Sequence, residues 1–165
     1  MQNSFKYSNT NKRYHTLDYY YKNRFHEKVF KVSLDAGFSC PNIDGTVGYN
    51  GCIYCSKLGS GEFAGNKQEP IEVQFNKVKE IMLKKWPNAK YIGYFQAHTN
   101  TYAKVEKLNE LYTKILNEPG VIGLNIATRP DAITEECLDY LTELNKKTYL
   151  TIELGLQKKK KKTSK

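Results

Sequence analysis

Residues 40–55 read CPNIDGTVGYNGCIYC, and this stretch decides most of what the chain can be. Its three cysteines, Cys40, Cys52 and Cys55, have the spacing C-x11-C-x2-C, with four prolines or glycines between the first two. Three thiolates on one loop suit a [4Fe–4S] cluster that keeps one iron free of protein ligands. A structural zinc site normally has four protein ligands, and this segment supplies three.

Length and composition limit the class of protein. With 165 residues the chain fits one domain or part of a larger one. No stretch has the uninterrupted apolar length of a membrane span, and the polar, aromatic N-terminus lacks the apolar centre of a signal peptide. We therefore expect a cytoplasmic protein without a membrane partner. Four cysteines in a reducing compartment indicate metal ligands or buried thiols rather than disulfides.

The positive charge is concentrated at one end of the chain. The net charge is +9, but six lysines lie among the last eight residues, 158–165. Without them, 20 basic and 17 acidic side chains remain, which is a net charge of +3. This lysine-rich tail contains no apolar residue, so we expect it to be solvated and disordered. The rest of the protein is only mildly basic.

The apolar pattern alternates between strand and helix signals. Short apolar runs at 28–34, 91–95, 121–126 and 149–154 predict four β-strands. Helical spacing predicts a helix after each of the first three strands, and the last of these helices follows Thr134, a residue type that caps helices. The residues expected on the buried helix faces are Ile71, Phe75, Val78 and Met82, then Val105, Leu108, Tyr112 and Ile115, then Cys137, Leu138, Leu141 and Leu144.

Strands that alternate with helices imply βαβ units and an α/β fold with a parallel sheet. Right-handed crossovers then bring the loops that follow the strands to one edge of the sheet, where α/β barrels carry their active sites. We expect the cysteine loop to meet residues 96–102, 128–131 and 155–157 at that edge. The chain divides into a basic and aromatic N-terminal segment (1–25), an α/β core (26–157) and the lysine-rich tail (158–165).

Four separate blocks of sequence resemble one enzyme superfamily. In chain order they are KVSLDAGFSCPN (31–42), YFQAHTNTY (94–102), ATRPD (127–131) and ELGLQ (153–157). Together with the cysteine loop, they resemble the radical S-adenosylmethionine (radical SAM) enzymes, in particular the YhcC/YtqA-type group, relatives of the Elongator catalytic subunit. The likeness runs from about Arg13 to Gln157. One local departure is Ile43, where a basic residue is expected.

The resemblance implies a fold, two cofactors and a set of site residues. The fold is the N-terminal part of a partial (β/α)6 TIM-like barrel. Cys40, Cys52 and Cys55 would hold a [4Fe–4S] cluster whose fourth iron binds S-adenosylmethionine, and reduction would cleave that molecule to a 5′-deoxyadenosyl radical. The other implied site residues are Tyr54 near the adenine, Gln96 and Thr99 near the methionine amine, and Arg129 and Gln157 near the methionine carboxylate or the ribose.

The resemblance also implies partners and an incomplete chain. Some relatives act on wobble uridines of transfer RNA, so tRNA is the substrate we expect. A reductant protein of the flavodoxin or ferredoxin type would supply the electron. Because relatives continue well past residue 157, we expect a truncated product, for example from a frameshift in an adenine-rich coding run. Its fourth strand would leave an open edge, cluster binding would persist in part, and turnover would be poor or absent.

Several of these features have a plainer interpretation. The cysteines could form a structural zinc site with Cys137 or a histidine as the fourth ligand, although a buried thiol suits Cys137 better. The tyrosines of the N-terminal segment could bind RNA, although packing across the barrel floor is favoured. His98 could be a loop histidine bonded to backbone, and Glu153 an ordinary carboxylate at a strand end. The alternative function is a non-catalytic metal- or RNA-binding fragment.

Overall fold

The computed structural model describes residues 6, 8 and 11–156, in which four strands alternate with helices. The strands are β1 (Val29–Leu34), β2 (Lys90–Phe95), β3 (Val121–Thr128) and β4 (Tyr149–Leu154). The helices are α1 (Leu17–Phe25), α2 (Ile71–Lys85), α3 (Val105–Leu116) and α4 (Glu135–Asn145), with a single turn of 3₁₀ helix at Pro130–Ala132. Gln157 and the lysine-rich tail lie outside the described residues.

The four strands form one parallel sheet in the order β1-β2-β3-β4. Neighbouring strands in space are thus also consecutive in the chain, and α2, α3 and α4 each cross over from one strand to the next. The three crossover helices pack into one apolar cluster on a single face of the sheet. A doubly wound sheet would place helices on both faces. The predicted α/β fold of parallel strands alternating with helices, as in part of a barrel, is therefore confirmed.

The helix-covered face of the sheet holds the main core. Strand residues of one parity point into it, among them Val32, Leu34, Phe95, Leu124 and Ile126, all fully buried. Strand β2 packs closely on α3 at Gly93, because a Cβ there would lie 2.5 Å from the Cγ2 atom of Ile115. A glycine in the middle of a strand weakens the strand itself, so its presence here reflects this close helix packing.

The opposite face is closed at its amino end by α1, a helix that the sequence analysis did not predict. Thr16 caps this helix, since its hydroxyl accepts a hydrogen bond from the Tyr19 amide at 3.1 Å. Tyr21 is buried with Val29 of β1 and Ile92 of β2 in a second apolar cluster. The structure thus shows that at least this tyrosine packs against the sheet, the role that was favoured over RNA binding.

Two further details differ from the sequence prediction. Strand β3 extends to Thr128, two residues beyond the apolar run, because its last residues still pair with β4. Leu138 was expected on the buried face of α4, but this was wrong: its side chain is 50% exposed. Cys137, Leu141 and Leu144 already form the buried stripe, and Leu138 is rotated about 100° from Cys137 around the helix.

Strands β1 and β4 are the two edges of the sheet. Residues of β4 are partly exposed, as expected for an edge strand. The longest helix in the described part of the chain is α2, with 15 residues, and no helix there combines the length and apolar character that a bilayer crossing requires.

Candidate functional site

A cavity of about 350 Å³ opens at the carboxyl edge of the sheet. The loop after β1, residues that directly follow β2, and the carboxyl ends of β3 and β4 contribute to its wall. Convergence of the strand-end loops at this edge, expected from the βαβ pattern, is therefore confirmed. The polar, aromatic and thiol side chains of the wall include Cys40, Cys52, Tyr54, Cys55, Ser60, Gln96, His98, Thr99, Arg129 and Glu153.

A larger depression of about 1020 Å³ lies at the other end of the sheet, near the amino ends of β3 and β4. It contains no cysteine or histidine, and its charged groups lie at helix ends. The guanidinium of Arg24 there packs on the ring of Tyr149, 5.1 Å from the ring centroid. The three loop cysteines line the smaller cavity, which is therefore the candidate site.

All three loop cysteines are free thiols, half-buried in the wall of this cavity. Each has a polar neighbour at its sulfur. The Asn42 amide donates to Cys52 Sγ at 2.9 Å, Arg129 Nη1 lies 3.8 Å from Cys40 Sγ, and the Ser60 hydroxyl lies 4.0 Å from Cys55 Sγ. Donors to the sulfurs are one of the features that tune the potential of iron–sulfur centres.

The local structure of the loop follows from its sequence. The Ile43 amide donates to the carbonyl of Cys40 at 2.8 Å, and the Cys55 amide donates to the carbonyl of Cys52 at 3.0 Å. One tight turn therefore begins at Cys40, and a second one begins at Cys52 and ends at Cys55. Gly51 has a φ of 68°, a left-handed conformation that a residue without Cβ adopts at little cost, directly before Cys52.

The three loop cysteines share one cavity but do not form a ready-made metal-ion group. Among the described residues, no three His, Cys, Asp or Glu side chains form a group that could hold a metal ion. Cys137, the suggested fourth zinc ligand, is 1% exposed in the core under α4 and does not line the cavity. The three free thiols of the loop are thus the cysteines that face this open cavity.

The pKa of the Cys55 thiol is raised above its ordinary value. Burial is the main cause, the Ser60 hydroxyl acts in the opposite direction, and the neighbouring thiols of Cys52 and Cys40 raise the pKa further. Without a metal, Cys55 is therefore protonated at neutral pH. Metal or cluster binding at this site would have to release that proton.

Four of the other five residues implied by the resemblance also line the cavity, and Gln157 lies outside the described residues. Tyr54 is 64% exposed at the rim. Gln96 donates from its side-chain amide to the Ser60 carbonyl at 2.7 Å, and the Thr99 amide donates to the Ser39 carbonyl at 3.2 Å. Gln96 and Thr99 thus tie the cysteine loop to the end of β2.

Arg129 bridges the cysteine loop and the end of β3. Its Nε and Nη2 atoms donate to the two carboxylate oxygens of Asp131 at 2.8 and 2.5 Å, and its Nη1 faces Cys40. The hydrogen bonds to Asp131 are the main reason that the pKa of Arg129 is raised, and the same pair lowers the pKa of Asp131. Arg129 therefore presents a permanent positive charge to the cavity, with only one edge of its guanidinium available.

Comparison with known proteins places the chain beside proteins without an assigned activity. The chain is similar to YtqA of Bacillus subtilis. The two are 55% identical over 158 residues, which cover 95% of this chain and 49% of YtqA. Protein YhcC of Escherichia coli (strain K12) is 36% identical over 135 residues, covering 81% of this chain and 42% of YhcC. An uncharacterized protein of Methanocaldococcus jannaschii is 39% identical over 148 residues, covering 87% and 44% respectively.

The chain thus spans about half the length of the curated relatives it matches. YtqA is itself named as uncharacterized, and none of the three names states an activity. No protein-family model matches the chain, and no solved structure matches it significantly. The names of these relatives therefore assign no chemistry to the site.

The structure gives Glu153 a larger role than its position at a strand end suggested. Its carboxylate lines the cavity and accepts hydrogen bonds from Lys31 Nζ at 2.7 Å, Tyr94 Oη at 2.6 Å and Asn125 Nδ2 at 3.2 Å. These donors come from β1, β2 and β3, so one network spans the whole sheet. Burial raises the pKa of Glu153, but the three donors outweigh it and the net pKa is lowered. Glu153 is therefore a carboxylate at neutral pH.

His98 is the other residue whose role the sequence left open. Its backbone is left-handed, with φ 61°, and its amide donates to the Gly59 carbonyl at 3.0 Å. The ring packs against Gly59 so closely that a Cβ there would lie 2.6 Å from the His98 Cγ atom. The Nδ1 atom is buried, and none of the residues that the structure describes gives it a hydrogen-bond partner. His98 thus packs on the turn that follows Cys55, and its main-chain amide makes the bond to the backbone.

One sequence signal could have revealed the Glu153 network. Four polar or amphipathic residues interrupt the strands: Lys31, Tyr94, Asn125 and Glu153. Each alternates with the core residues of its strand, so all four lie on the face of the sheet opposite to the main core. Strand alternation puts such residues on one face of the sheet. Which of them meet depends on the register between strands, which the sequence alone does not give.

Proposed function

We propose that this chain forms the cofactor-binding part of a radical SAM enzyme, with a [4Fe–4S] cluster held by Cys40, Cys52 and Cys55. The observation that carries the proposal is that three free thiols of one loop line a single cavity together with residues at or directly after the carboxyl ends of β2, β3 and β4. No fourth cysteine of the described residues lines this cavity, which suits a cluster with one iron open to a ligand.

The residues of the cavity wall have distinct parts in this proposal. Asn42, Arg129 and Ser60 stand at the three sulfurs and stabilise thiolate charge. Arg129 gives the cavity a positive charge and Glu153 a negative one, so the wall complements a zwitterionic amino-acid ligand such as S-adenosylmethionine. When bound and reduced, the cluster would supply the electron that cleaves the sulfonium of S-adenosylmethionine to a 5′-deoxyadenosyl radical.

The proposal extends to partners. Because the electron must come from outside, a small reductant protein of the flavodoxin or ferredoxin type is the proposed donor, in the cytoplasm. Transfer RNA is the proposed substrate, on the basis of the resemblance in sequence alone. The chain spans about half the length of these relatives, and the activity of the whole protein is part of this proposal.

Anaerobic reconstitution with iron and sulfide tests the proposal directly. We expect about four iron and four sulfide per chain, and a reduced signal in electron paramagnetic resonance that shifts when S-adenosylmethionine is added. Replacement of Cys40, Cys52 or Cys55 by serine should abolish sulfide incorporation. Cys137→Ser is the matched control, because its thiol is buried in the core, and should retain it. Zinc without sulfide, or equal loading of all four variants, would refute the proposal.

A further inference from the structure

The loop that carries the three cysteines is closed at its base by a single buried side chain. This loop spans residues 35–70, between β1 and α2. Gln74, in the first turn of α2, is 2% exposed and contacts both ends of it. Its Oε1 atom accepts a hydrogen bond from the Asp35 amide at 3.0 Å. Its Nε2 atom lies 3.0 Å from the carbonyl of Asp35, 2.9 Å from that of Asn66 and 3.0 Å from that of Glu69.

The amide of Gln74 is thus fully used. A primary amide has two N–H donors, and these two protons serve three backbone carbonyls that converge on one nitrogen. Backbone groups removed from water need partners, and each carbonyl left unpaired there would be costly. Neither a shorter side chain nor a carboxylate can make the same set, since only an amide of this length both donates to the carbonyls and accepts from Asp35.

A glycine makes room for this arrangement. Gly65 lies against the Gln74 amide, and a Cβ at residue 65 would lie 2.6 Å from the Gln74 Cδ atom. The φ of Gly65 is not in the left-handed region, so space, and not backbone conformation, requires glycine at this position. Gly65 and Gln74 are therefore matched to each other across the base of the loop.

We propose that Gln74 is a positioning residue for the three-cysteine site: it holds the two ends of the 35–70 loop together and so keeps Cys40, Cys52 and Cys55 at one cavity. Gln74 does not line the cavity and touches no thiol. It acts through the backbone, five residues before Cys40 at one end and from Asn66 onwards at the other. What the thiols hold rests on the proposed function, whereas the positioning of the loop does not.

Hydrogen exchange of the metal-free chain tests the positioning on its own. In Gln74→Glu, the Asp35 amide and the loop amides of Ile43 and Cys55 should exchange roughly tenfold faster or more, because a carboxylate would face three carbonyls. Strand amides of β2 and β3 should keep their wild-type rates. Alkylation of Cys137, which is buried in the core, should also stay slow. Gln68→Glu makes the same charge change at an exposed residue of the loop and is the control.

The outcomes separate a local role from a general one. Unchanged loop exchange in Gln74→Glu would refute the positioning role. Equally faster exchange in the sheet and the loop, with rapid alkylation of Cys137, would refute it as well, because Gln74 would then support the whole fold. Gln74→Met keeps the length of the side chain without its hydrogen bonds, so it should also speed exchange in the loop and not in the strands. Unfolding of both Gln74→Glu and Gln74→Met would contradict the positioning role.

Iron and sulfide loading of the same variants shows which proposal fails. If the wild-type chain takes up a cluster and Gln74→Glu takes up roughly a tenth as much or less, both proposals are supported. If the wild-type chain takes up no cluster but the loop exchange responds as expected, the proposed function fails and the positioning role of Gln74 stands.

Discussion

Replacement of Tyr94 by phenylalanine should cost the folded protein about 1 kcal/mol at neutral pH and clearly less in acid. The Tyr94 hydroxyl donates to Glu153 Oε2 at 2.6 Å, within the range of charge-assisted O–H···O⁻ bonds. Such bonds contribute about 1.5–3 kcal/mol when buried, but the Glu153 side chain is 36% exposed, which places this bond at or below the low end.

The pH dependence follows from the lowered pKa of Glu153. Its ordinary value is 4.5, and in the folded protein it is lower, so the stability that this carboxylate contributes is present above pH 4.5 and is lost as the pH falls through the folded value. Tyr94→Phe removes one donor and moves the folded pKa back toward 4.5. The difference in stability between wild type and variant should therefore be largest near pH 7 and fall to about half once Glu153 is protonated.

Urea unfolding followed by circular dichroism, at pH 7 and at a series of pH values down through the titration of Glu153, measures both quantities. Tyr140→Phe is the matched control, because the Tyr140 hydroxyl donates to the neutral amide oxygen of Asn109 at 3.4 Å and its loss should not follow the titration of Glu153. In the background of Glu153→Gln, Tyr94→Phe should cost less than in the wild type. An equal cost of Tyr94→Phe at every pH of the series and in both backgrounds would show that the hydrogen bond to Glu153 is not what the hydroxyl contributes.

Three further predictions concern the scaffold and are measured by the same unfolding assay. Gly93→Ala should destabilise the fold by about 1–3 kcal/mol, because its methyl group would press on α3. Gly48→Ala should be close to neutral, because a Cβ there would lie 3.7 Å from its nearest neighbour. Equal effects of the two variants would contradict the close packing at Gly93. Thr134→Ala should cost about 1 kcal/mol through loss of the α4 cap and Thr134→Ser much less, unless the cap is made by something other than the hydroxyl. Leu141→Ala should cost about 3 kcal/mol and Leu138→Ala well under 1, and the reverse order would mean that α4 is rotated.

Much of the fold was predictable from local pattern. Strand β4 begins and ends where its apolar run does, and Thr134 caps α4 as its residue type suggests. Helix α1 was missed because its apolar stripe is weak: Tyr21 is its one buried residue, with the partly buried Tyr20 and Phe25 packed beside it. Leu138 was misplaced because a run of apolar residues in a helix does not show which of them are turned toward the sheet.

The candidate site was predictable in its composition and not in its contacts. The cysteine spacing named the three thiols, and the βαβ pattern placed them beside Gln96, Thr99 and Arg129. The partner of Arg129, Asp131, was two residues away, yet its contact with Cys40 crosses 89 residues of chain. Gln74 carried no signal at all, because its four partners are backbone atoms that any sequence would supply.

The sequence by itself determined the four strands and the three helices between them, the parallel sheet and the set of thiols at its carboxyl edge, because periodicity and right-handed crossovers act along the chain or between consecutive elements. Only the tertiary structure decided that Glu153 gathers donors from three other strands and that Gln74 closes the cysteine loop. Those contacts depend on strand register and on the close approach of α2 to the loop, which are fixed by how side chains pack in space.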